Sequence, residues 1–334
     1  MALRSLDVRH TQRLSPSLQA TGILCNFSSN TNMSPIKTMQ SFAYAQMHKN
    51  SIIINFGLGQ PSASLLPLNM FRSAAMARFS ENQVPVMLQY GSAKVFIGFR
   101  HEIAKFVADT FPINATHPDT FMVTAGNSQA ISHAAMTFSK TKKLVFVEEP
   151  TYFLAHDIFR ELGLEFEGIY AVKDDIDLDS LEERLMRGDV PAFLYTIPFL
   201  HNPTGAVLSS DRCKRLVGLA QNYGFHIISD EPYNLLHMNG SALPPLASYD
   251  DSGLAVSLGI FSEILVPGLR LGWAQSSEKT IEELSTIGVF RSGGGQNPVT
   301  AALVHISKPK HAAFSSFLLH VERLLSKQCW SKTY

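Results

Sequence analysis

Cysteine is scarce in this chain, with three residues in 334, widely spaced and without a C-x-x-C pair. A disulfide scaffold and a zinc knuckle are therefore not expected, and a reducing compartment is favoured. The 12 histidines are scattered, without an H-E-x-x-H motif, so we assign no metal site. No apolar run approaches the roughly 20 residues that cross a bilayer, and we expect no membrane partner.

An excess of charge of either sign is also absent. Lys and Arg total 28, Asp and Glu total 28, and the formal net charge is zero. This balance lacks the basic surface that nucleic-acid binding requires, so no nucleic-acid partner is expected. Charged residues make up only 17% of the chain and apolar residues 45%, which argues against disorder and for a sizeable buried core.

The first fifty residues differ in composition from the rest. Their basic residues face a single acid, Asp7, and Ser, Thr and Asn crowd positions 15–34. This composition is typical of an organellar transit segment, but also of an unstructured leader or a misassigned start, with Met33 and Met39 as alternative beginnings. We therefore expect residues 1–50 to be a leader, either a transit segment or disordered, and the protein to reside in the cytoplasm or the mitochondrion.

From Ile52 onward, short apolar runs alternate with amphipathic stretches. The runs predicted as strands are 121–124, 144–147, 192–196, 225–229, 254–258 and 269–274. The stretches predicted as helices are 94–110, 128–138, 152–162, 180–187 and 211–223. This alternation indicates an α/β domain with a doubly wound, mostly parallel sheet and helices on both faces. In such sheets ligands bind beyond the carboxyl ends of the strands.

Chemically informative residues follow these predicted strands. Gly126, Asn127 and Ser128 open a helix, where free backbone N–H groups and the helix dipole attract an anion. Asp230 ends a buried strand, a costly place for a carboxylate unless it meets a cation such as a protonated ring nitrogen. Arg270 opens the last predicted strand and is suited to clamp a phosphate or a carboxylate.

Five motifs occur in order: G-N-S-Q (126–129), E-P-T-Y (149–152), N-P-T-G (202–205), D-E-P-Y (230–233) and S-E-I-L-V-P-G-L-R-L-G (262–272). The combination, from about Asn55 to about Val304, resembles the class I/II aminotransferases, fold-type I enzymes that use pyridoxal 5′-phosphate. That family transfers amino groups between amino acids and 2-oxo acids. The resemblance implies a large domain at 51–290, the start of a truncated small domain at 291–334, and a homodimer or a heterodimer with an intact relative.

The resemblance also implies a role for each matching residue. The residues implied for the cofactor phosphate are Gly126, Asn127, Ser128, Ser262, Arg270 and, from a second subunit, Tyr90. The residues implied for the ring are Tyr152 at its face, Asn202 and Tyr233 at its phenolic oxygen, and Asp230 at its nitrogen. For Tyr90 and Tyr152, a buried core aromatic is the alternative interpretation.

Two positions depart from the family pattern. Glu263 stands where the family has the lysine that binds the cofactor aldehyde covalently and then moves a proton at the substrate Cα. Ile260 stands where the family usually has a serine that binds the phosphate. Together with Asp230 and Tyr233, Glu263 completes the set of positions that we assign to catalysis.

Three hypotheses follow from the glutamate, because a carboxylate cannot form the lysine's covalent bond. The chain is an aminotransferase relative with impaired or lost activity, or a non-catalytic cofactor-binding or heterodimer partner protein. Alternatively, it is an enzyme that works with the amine form of the cofactor and uses Glu263 as base. A changed codon would also account for this residue.

Overall fold

The computed structural model describes residues 66–80, 90, 92–114, 116–172, 175–236, 243–263 and 265–292. Their helices are α1 (Leu68–Phe79), α2 (Ile97–Thr110), α3 (Asn127–Phe138), α4 (Phe153–Glu161), α5 (Leu178–Met186), α6 (Ser210–Tyr223) and α7 (Glu278–Ser292). Their strands are β1 (Phe121–Thr124), β2 (Leu144–Glu149), β3 (Glu165–Val172), β4 (Asp175–Ile176), β5 (Phe193–Thr196), β6 (His226–Asp230), β7 (Ala255–Ile260) and β8 (Gly272–Gln275).

These strands form one sheet in the order β1-β8-β7-β6-β5-β2-β3-β4. Six of them run in one direction, whereas β8 and the edge strand β4 run in the opposite one. Because β8 is antiparallel to both of its neighbours, its amino end lies beside the carboxyl ends of β1 and β7. Gly272 is there in register with Thr124 and with Ile260. The mostly parallel sheet expected from the sequence is confirmed.

Side chains along the central strands alternate between two hydrophobic clusters on opposite faces of the sheet. In β5, Phe193 and Tyr195 belong to one cluster and Leu194 to the other, and in β6, Ile228 and Ile227 divide in the same way. Helices α3, α4 and α7 complete the first cluster, and α5 and α6 complete the second. Helices therefore cover both faces, which explains why these strands read as continuous apolar runs.

Helix α6 shows how local sequence sets the ends of an element. The Ser209 hydroxyl accepts a hydrogen bond from the backbone N–H of Arg212 at 3.4 Å and caps the amino end. Gly224 ends the helix in the left-handed conformation, with φ of +74°. Both ends agree with the sequence prediction to within one residue.

All six predicted strands and all five predicted helices occur. The prediction missed β3, β4, α1 and α7, and it began the last strand too early. Arg270 does not open a strand: it follows a one-turn helix, Pro267–Leu269, has φ of +49°, and precedes β8 by two residues. Pro267 explains the difference, because proline favours the first turn of a helix over a central strand.

Two of the predicted segments lie outside the described residues. They are the leader at 1–50 and nearly all of the incomplete domain at 291–334, so these domain boundaries stay predictions. Within the described part of the chain, none of the helices combines the length and the apolar character needed to cross a bilayer.

Gly259→Ala is expected to destabilise the protein, because an added Cβ would lie 2.2 Å from the indole ring of the buried Trp273. Overpacking of this kind costs about 1–3 kcal/mol of unfolding free energy. Gly218→Ala in α6 is the matched control, since a Cβ there meets nothing within 4 Å and should stabilise the helix by about 0.5–1 kcal/mol. Urea unfolding measures both variants, and equal effects would contradict the close packing of Trp273 on Gly259.

Candidate functional site

The candidate site lies at the edge of the sheet where the carboxyl ends of β1, β2, β5, β6 and β7, five of the six strands that share one direction, meet the amino end of β8. Parallel strands place the turns that follow them at one edge, and the antiparallel β8 adds the turn that precedes it. Residues far apart in sequence therefore meet. Asn127 and Asp230, 103 positions apart, are joined by a hydrogen bond.

Gly126 and Arg270 form one corner of the site. Gly126 precedes α3 with φ of +82°, and a Cβ at this position would lie 2.7 Å from Arg270 Nη2. The guanidinium therefore packs directly on the glycine, beside the backbone N–H groups that open α3. A helix amino end and a guanidinium both favour an anion, so this anion corner (Gly126, the amino end of α3 and Arg270) suits a phosphate group.

Two further residues predicted for the phosphate lie in the adjoining turns. Ser128 is exposed on the first turn of α3. Ser262, in the turn after β7, has a buried hydroxyl that forms no hydrogen bond with any described residue. A buried hydroxyl without a partner is costly, so Ser262 has a hydrogen bond to offer to a ligand.

Asp230 is the most deeply buried of the predicted site residues that carry a carboxyl group, at 4% exposure. Its Oδ1 accepts a hydrogen bond from Asn127 Nδ2 at 2.5 Å, and its Oδ2 accepts one from Tyr195 Oη at 2.7 Å. Burial raises the pKa of Asp230 to about 6, although both hydrogen bonds act to lower it. Both donors are neutral, so neither balances the negative charge of Asp230. A cationic ligand group beside Asp230 would lower the cost of burying the ionised carboxylate.

Tyr195 is a site residue that the sequence prediction missed, and Asn127 has a second role. Asn127 was predicted to offer its backbone N–H to a phosphate, but its side-chain amide reaches Asp230 and the carbonyl of Leu258 at 3.2 Å. Tyr195 is fully buried in β5, where its ring packs against Phe159 at 5.6 Å between centroids. The sequence feature that could have identified Tyr195 is its hydroxyl group near the end of an otherwise apolar strand.

Electrostatic effects on Tyr152 show which predicted residues lie near one another. The pKa of Tyr152 is raised to about 12, first by burial and then by the charge of Asp230. Tyr233 and Glu263 add to this shift, and Arg270 opposes it. The structure thus gathers these five residues into one site, with Tyr152 half-buried among them.

Asn202 and Tyr233, both predicted for the ring oxygen, lie near each other. Burial and the charge of Glu263 raise the pKa of Tyr233, while the nearby Asn202 side chain acts to lower it. A phenol and an amide side by side form a donor pair suited to a single ligand oxygen.

Glu263 lies in the turn after β7 and is half-buried. Burial raises the pKa of its carboxyl group. Among the described residues no salt bridge reaches this carboxylate, and its negative charge raises the pKa of Tyr152 and Tyr233. Position 263 therefore places a second acid at the site, in addition to Asp230.

Tyr90 stands apart from these residues. Its side chain is 94% exposed in the single chain. The alternative interpretation, a buried core aromatic, is therefore wrong for Tyr90 in this chain. Its predicted contact with the phosphate of a second subunit stays a prediction.

A further buried acid, Glu231, ties the D-E-P-Y turn to its surroundings. Its carboxylate accepts hydrogen bonds from Ser229 Oγ and Ser257 Oγ, both at 2.6 Å, from Asn234 Nδ2 at 2.7 Å and from the Leu246 backbone N–H at 2.9 Å. Burial raises the pKa of Glu231 to about 7 against the effect of these donors. The network fixes the turn that carries Asp230 and Tyr233.

The described residues contain one possible metal-ligand group. His117, Asp119 and Glu278 place a ligand atom each within 4.8 Å of one another. His117 Nδ1, however, already accepts the backbone N–H of Asp119 at 3.3 Å. We assign no metal to this partly exposed group.

The buried Asp230 makes the unfolding free energy depend on pH. Its pKa is about 6 in the folded chain and 3.8 ordinarily, so the folded state binds the proton more tightly and stability falls as pH rises through this interval. One pKa unit corresponds to about 1.4 kcal/mol. From about pH 5 to about pH 7, the unfolding free energy of Asp230→Asn should therefore rise by about 1 kcal/mol relative to that of the wild-type protein.

Urea unfolding of the cofactor-free protein at several pH values measures this gain. Asp250→Asn is the matched control, because the pKa of Asp250 is lowered in the folded chain and its effect falls at more acidic pH. A constant difference between wild type and Asp230→Asn over this pH range would show that Asp230 titrates normally.

The sequence model of the family described as "Aminotransferase class I and II" matches residues 51–316. The aromatic-amino-acid aminotransferase 1 of Thermococcus litoralis is 31% identical over 240 residues, which cover 71% of this chain and 57% of that protein. The 2-aminoadipate transaminase of Thermus thermophilus is 31% identical over 238 residues, covering 70% of this chain and 57% of that protein. The chain thus spans little more than half the length of these curated relatives.

Solved structures agree with the sequence comparisons. An α-aminoadipate aminotransferase from Thermus thermophilus, complexed with N-(5′-phosphopyridoxyl)-L-leucine, has a TM-score of 0.74 at 28% identity, covering 87% of this chain and 70% of that chain. A multiple substrate aminotransferase from Thermococcus profundus has a TM-score of 0.77 at 25% identity, covering 92% and 75%. The chain belongs to the class I and II aminotransferase family and has its fold-type I architecture.

Proposed function

We propose that this chain binds pyridoxal 5′-phosphate without a covalent bond and is impaired or inactive in amino-group transfer between an amino acid and a 2-oxo acid. The observation that carries the proposal is the half-buried carboxylate of Glu263 within electrostatic reach of Tyr152 and Tyr233. The family needs an amine nitrogen at this position, and the chain supplies an oxygen acid.

The non-covalent contacts of the cofactor fit the site. The anion corner offers the Gly126 cradle, the amino end of α3 and the Arg270 guanidinium to the phosphate, with the Ser262 hydroxyl still unpartnered among the described residues. Asp230 offers the ring nitrogen a buried carboxylate held by two neutral donors. When bound, pyridoxal phosphate supplies an electron sink that stabilises negative charge at the substrate Cα.

The covalent attachment of the cofactor does not fit. A carboxylate has no nucleophilic nitrogen, so the chain lacks the group that the family uses to hold the aldehyde. Glu263 also adds a negative charge to an edge that must accept a phosphate, and Ile260 contributes no hydrogen bond there. Both changes weaken binding, because charge repulsion and a missing donor each cost on the order of 1 kcal/mol or more.

A second candidate function is catalysis with the amine form of the cofactor, Glu263 acting as general base. The observation in its favour is burial, which raises the pKa of Glu263 and makes the carboxylate a stronger base than an exposed one. A third candidate is a non-catalytic subunit that pairs with an intact relative. It is favoured by the full exposure of Tyr90, which leaves this side chain available to a second subunit.

Pyridoxal phosphate bound to the wild-type protein should wash out after borohydride treatment, because the carboxylate at position 263 has no amine nitrogen to bind the aldehyde. Glu263→Lys should retain the cofactor covalently after the same treatment, with an added mass of one reduced cofactor in the intact-protein spectrum. The matched control is Glu263→Gln, which removes the negative charge but supplies no amine.

The outcomes separate the parts of the proposal. A site-specific covalent adduct on the wild-type protein, mapped to this edge of the sheet, would overturn it. Failure of Glu263→Lys to form the adduct would place the defect elsewhere, at Ile260 or in the part of the family fold that lies outside the described residues. Stronger non-covalent binding to Glu263→Gln than to wild type would support charge repulsion by Glu263.

The amine-cofactor hypothesis predicts a different result. Wild-type protein loaded with pyridoxamine 5′-phosphate should convert a 2-oxo acid from a test panel to its amino acid, and Glu263→Gln should lose the conversion by at least about 10²-fold, the usual contribution of a general base. Amino acid analysis of a single turnover measures both. Equal conversion by the two proteins would exclude Glu263 as the base.

A further inference from the structure

A buried glutamate–histidine contact joins strand β2 to the turn after β5 without belonging to either set of predicted cofactor contacts. Glu148 and His201 are 4% and 6% exposed, and His201 Nε2 lies 2.9 Å from Glu148 Oε2. The ring N–H is close to this oxygen but is not aligned for a hydrogen bond with it. Neither residue is among those predicted to bind the cofactor or to take part in catalysis.

Glu148 holds β2 to the end of the neighbouring strand β5. Its Oε1 accepts a hydrogen bond from Thr196 Oγ1 at 2.9 Å, and its Oε2 accepts one from the backbone N–H of Ile197, also at 2.9 Å. With His201 close to the same oxygen, the carboxylate is surrounded by partners from the following turn. A buried carboxylate satisfied in this way fixes the elements around it, because moving any partner exposes an unpaired charge to a dry interior.

His201 holds the N-P-T-G turn from the other side. Its Nδ1 accepts the backbone N–H of Thr204 at 3.5 Å and lies 2.9 Å from Thr204 Oγ1, which in turn accepts the backbone N–H of Ala206 at 3.3 Å. Nδ1 is then an acceptor and the neutral ring carries its proton on Nε2, the nitrogen that faces Glu148. The turn is closed further by a hydrogen bond from His201 N to Ala206 O at 2.9 Å.

Glu148 and His201 are close in sequence to two of the four residues predicted to contact the ring. Glu148 precedes Tyr152 by four residues, and His201 directly precedes Asn202. We propose that the Glu148–His201 pair is a positioning device that holds Tyr152 and Asn202 in register for the cofactor ring. This inference rests on the proposed function, that the site binds the cofactor.

The pair should act on the ring and not on the phosphate. Its contacts all lie between β2, β5 and the turn after β5, whereas the anion corner is built from the turns next to β1 and β8. Affinity for the ring depends on how well the stacking face of Tyr152 and the hydrogen-bond donor of Asn202 are pre-organised. If the segments that carry these two residues shift relative to each other, both contacts with the ring are lost together.

The test measures binding of pyridoxamine 5′-phosphate to the full chain by calorimetry, together with the inhibition constant of inorganic phosphate as a competitor. Glu148→Gln, His201→Asn and the double variant form a double-mutant cycle. Each single variant should weaken pyridoxamine phosphate binding about tenfold, and the double variant should be no weaker than either single one, because the residues act as a unit. The phosphate constant should stay unchanged.

Thr204→Val removes the hydroxyl that faces His201 Nδ1. Thr204 lies on an exposed turn, so this variant is expected to fold even if the variants of the buried residues do not. It should weaken ring binding by a few fold. Asp250→Asn is the structural control: Asp250 accepts hydrogen bonds from Ala255 N at 2.7 Å and Ser252 N at 2.9 Å, near the opposite end of β7. This control should lower the urea midpoint without changing either binding constant.

Three results would overturn the inference. If the folded Glu148 and His201 variants bind pyridoxamine phosphate as tightly as the wild type, the pair has only a structural role. Equal losses for pyridoxamine phosphate and inorganic phosphate would show a general disturbance of the site. If the wild-type protein binds inorganic phosphate but not pyridoxamine phosphate, or binds neither, the proposed function itself fails, and the inference with it.

Discussion

The buried carboxylate of Asp230 is the constraint around which this edge of the sheet is arranged. It ends β6 at 4% exposure and is held by Asn127 and Tyr195, two neutral donors from α3 and β5. Burial nevertheless keeps its pKa near 6, well above the ordinary value of 3.8, so the ionised group remains costly in the folded chain. A cationic ligand group would remove that cost, and binding and stability are therefore coupled through this one residue.

Other acids lie at the same edge of the sheet, and they differ in the hydrogen-bond partners that offset the cost of burying them. Glu231 accepts four hydrogen bonds and locks a turn, and Glu148 is satisfied by β5 and by a histidine. Glu263 has neither kind of support among the described residues and remains half-buried beside Tyr233. With Asp230 these are four acids: Asp230, Glu231 and Glu148 each accept hydrogen bonds that hold them in place, and we propose that Glu263 changes the chemistry that the site can perform.

Most of the fold was predictable because each strand covered on both faces reads as a short apolar run. Elements without that signal were missed: β3, for instance, carries charged residues such as Glu165 and Glu167 between its apolar ones. The Arg270 turn was placed wrongly, because an apolar run containing Leu269 and Leu271 looks like a strand when the helical turn at Pro267 is overlooked.

The ring and phosphate residues were predictable from motifs at strand ends, but their partners were not. Nothing local in the sequence pairs Tyr195 with Asp230, or Glu148 with His201, since these contacts depend on β2, β5 and β6 lying side by side.

The sequence by itself determined the α/β class, the family and the presence of an acid at position 263, because periodicity, turn residues and motif order are local properties of the chain. Only the tertiary structure decided that Asn127 donates a hydrogen bond to Asp230, that Tyr195 does so too, and that Glu148 and His201 link β2 to the turn after β5. The reason is physical: hydrogen bonds and charge pairs are set by which strands are neighbours. Strand order in this sheet, with β8 inserted between β1 and β7, does not follow the order of the chain.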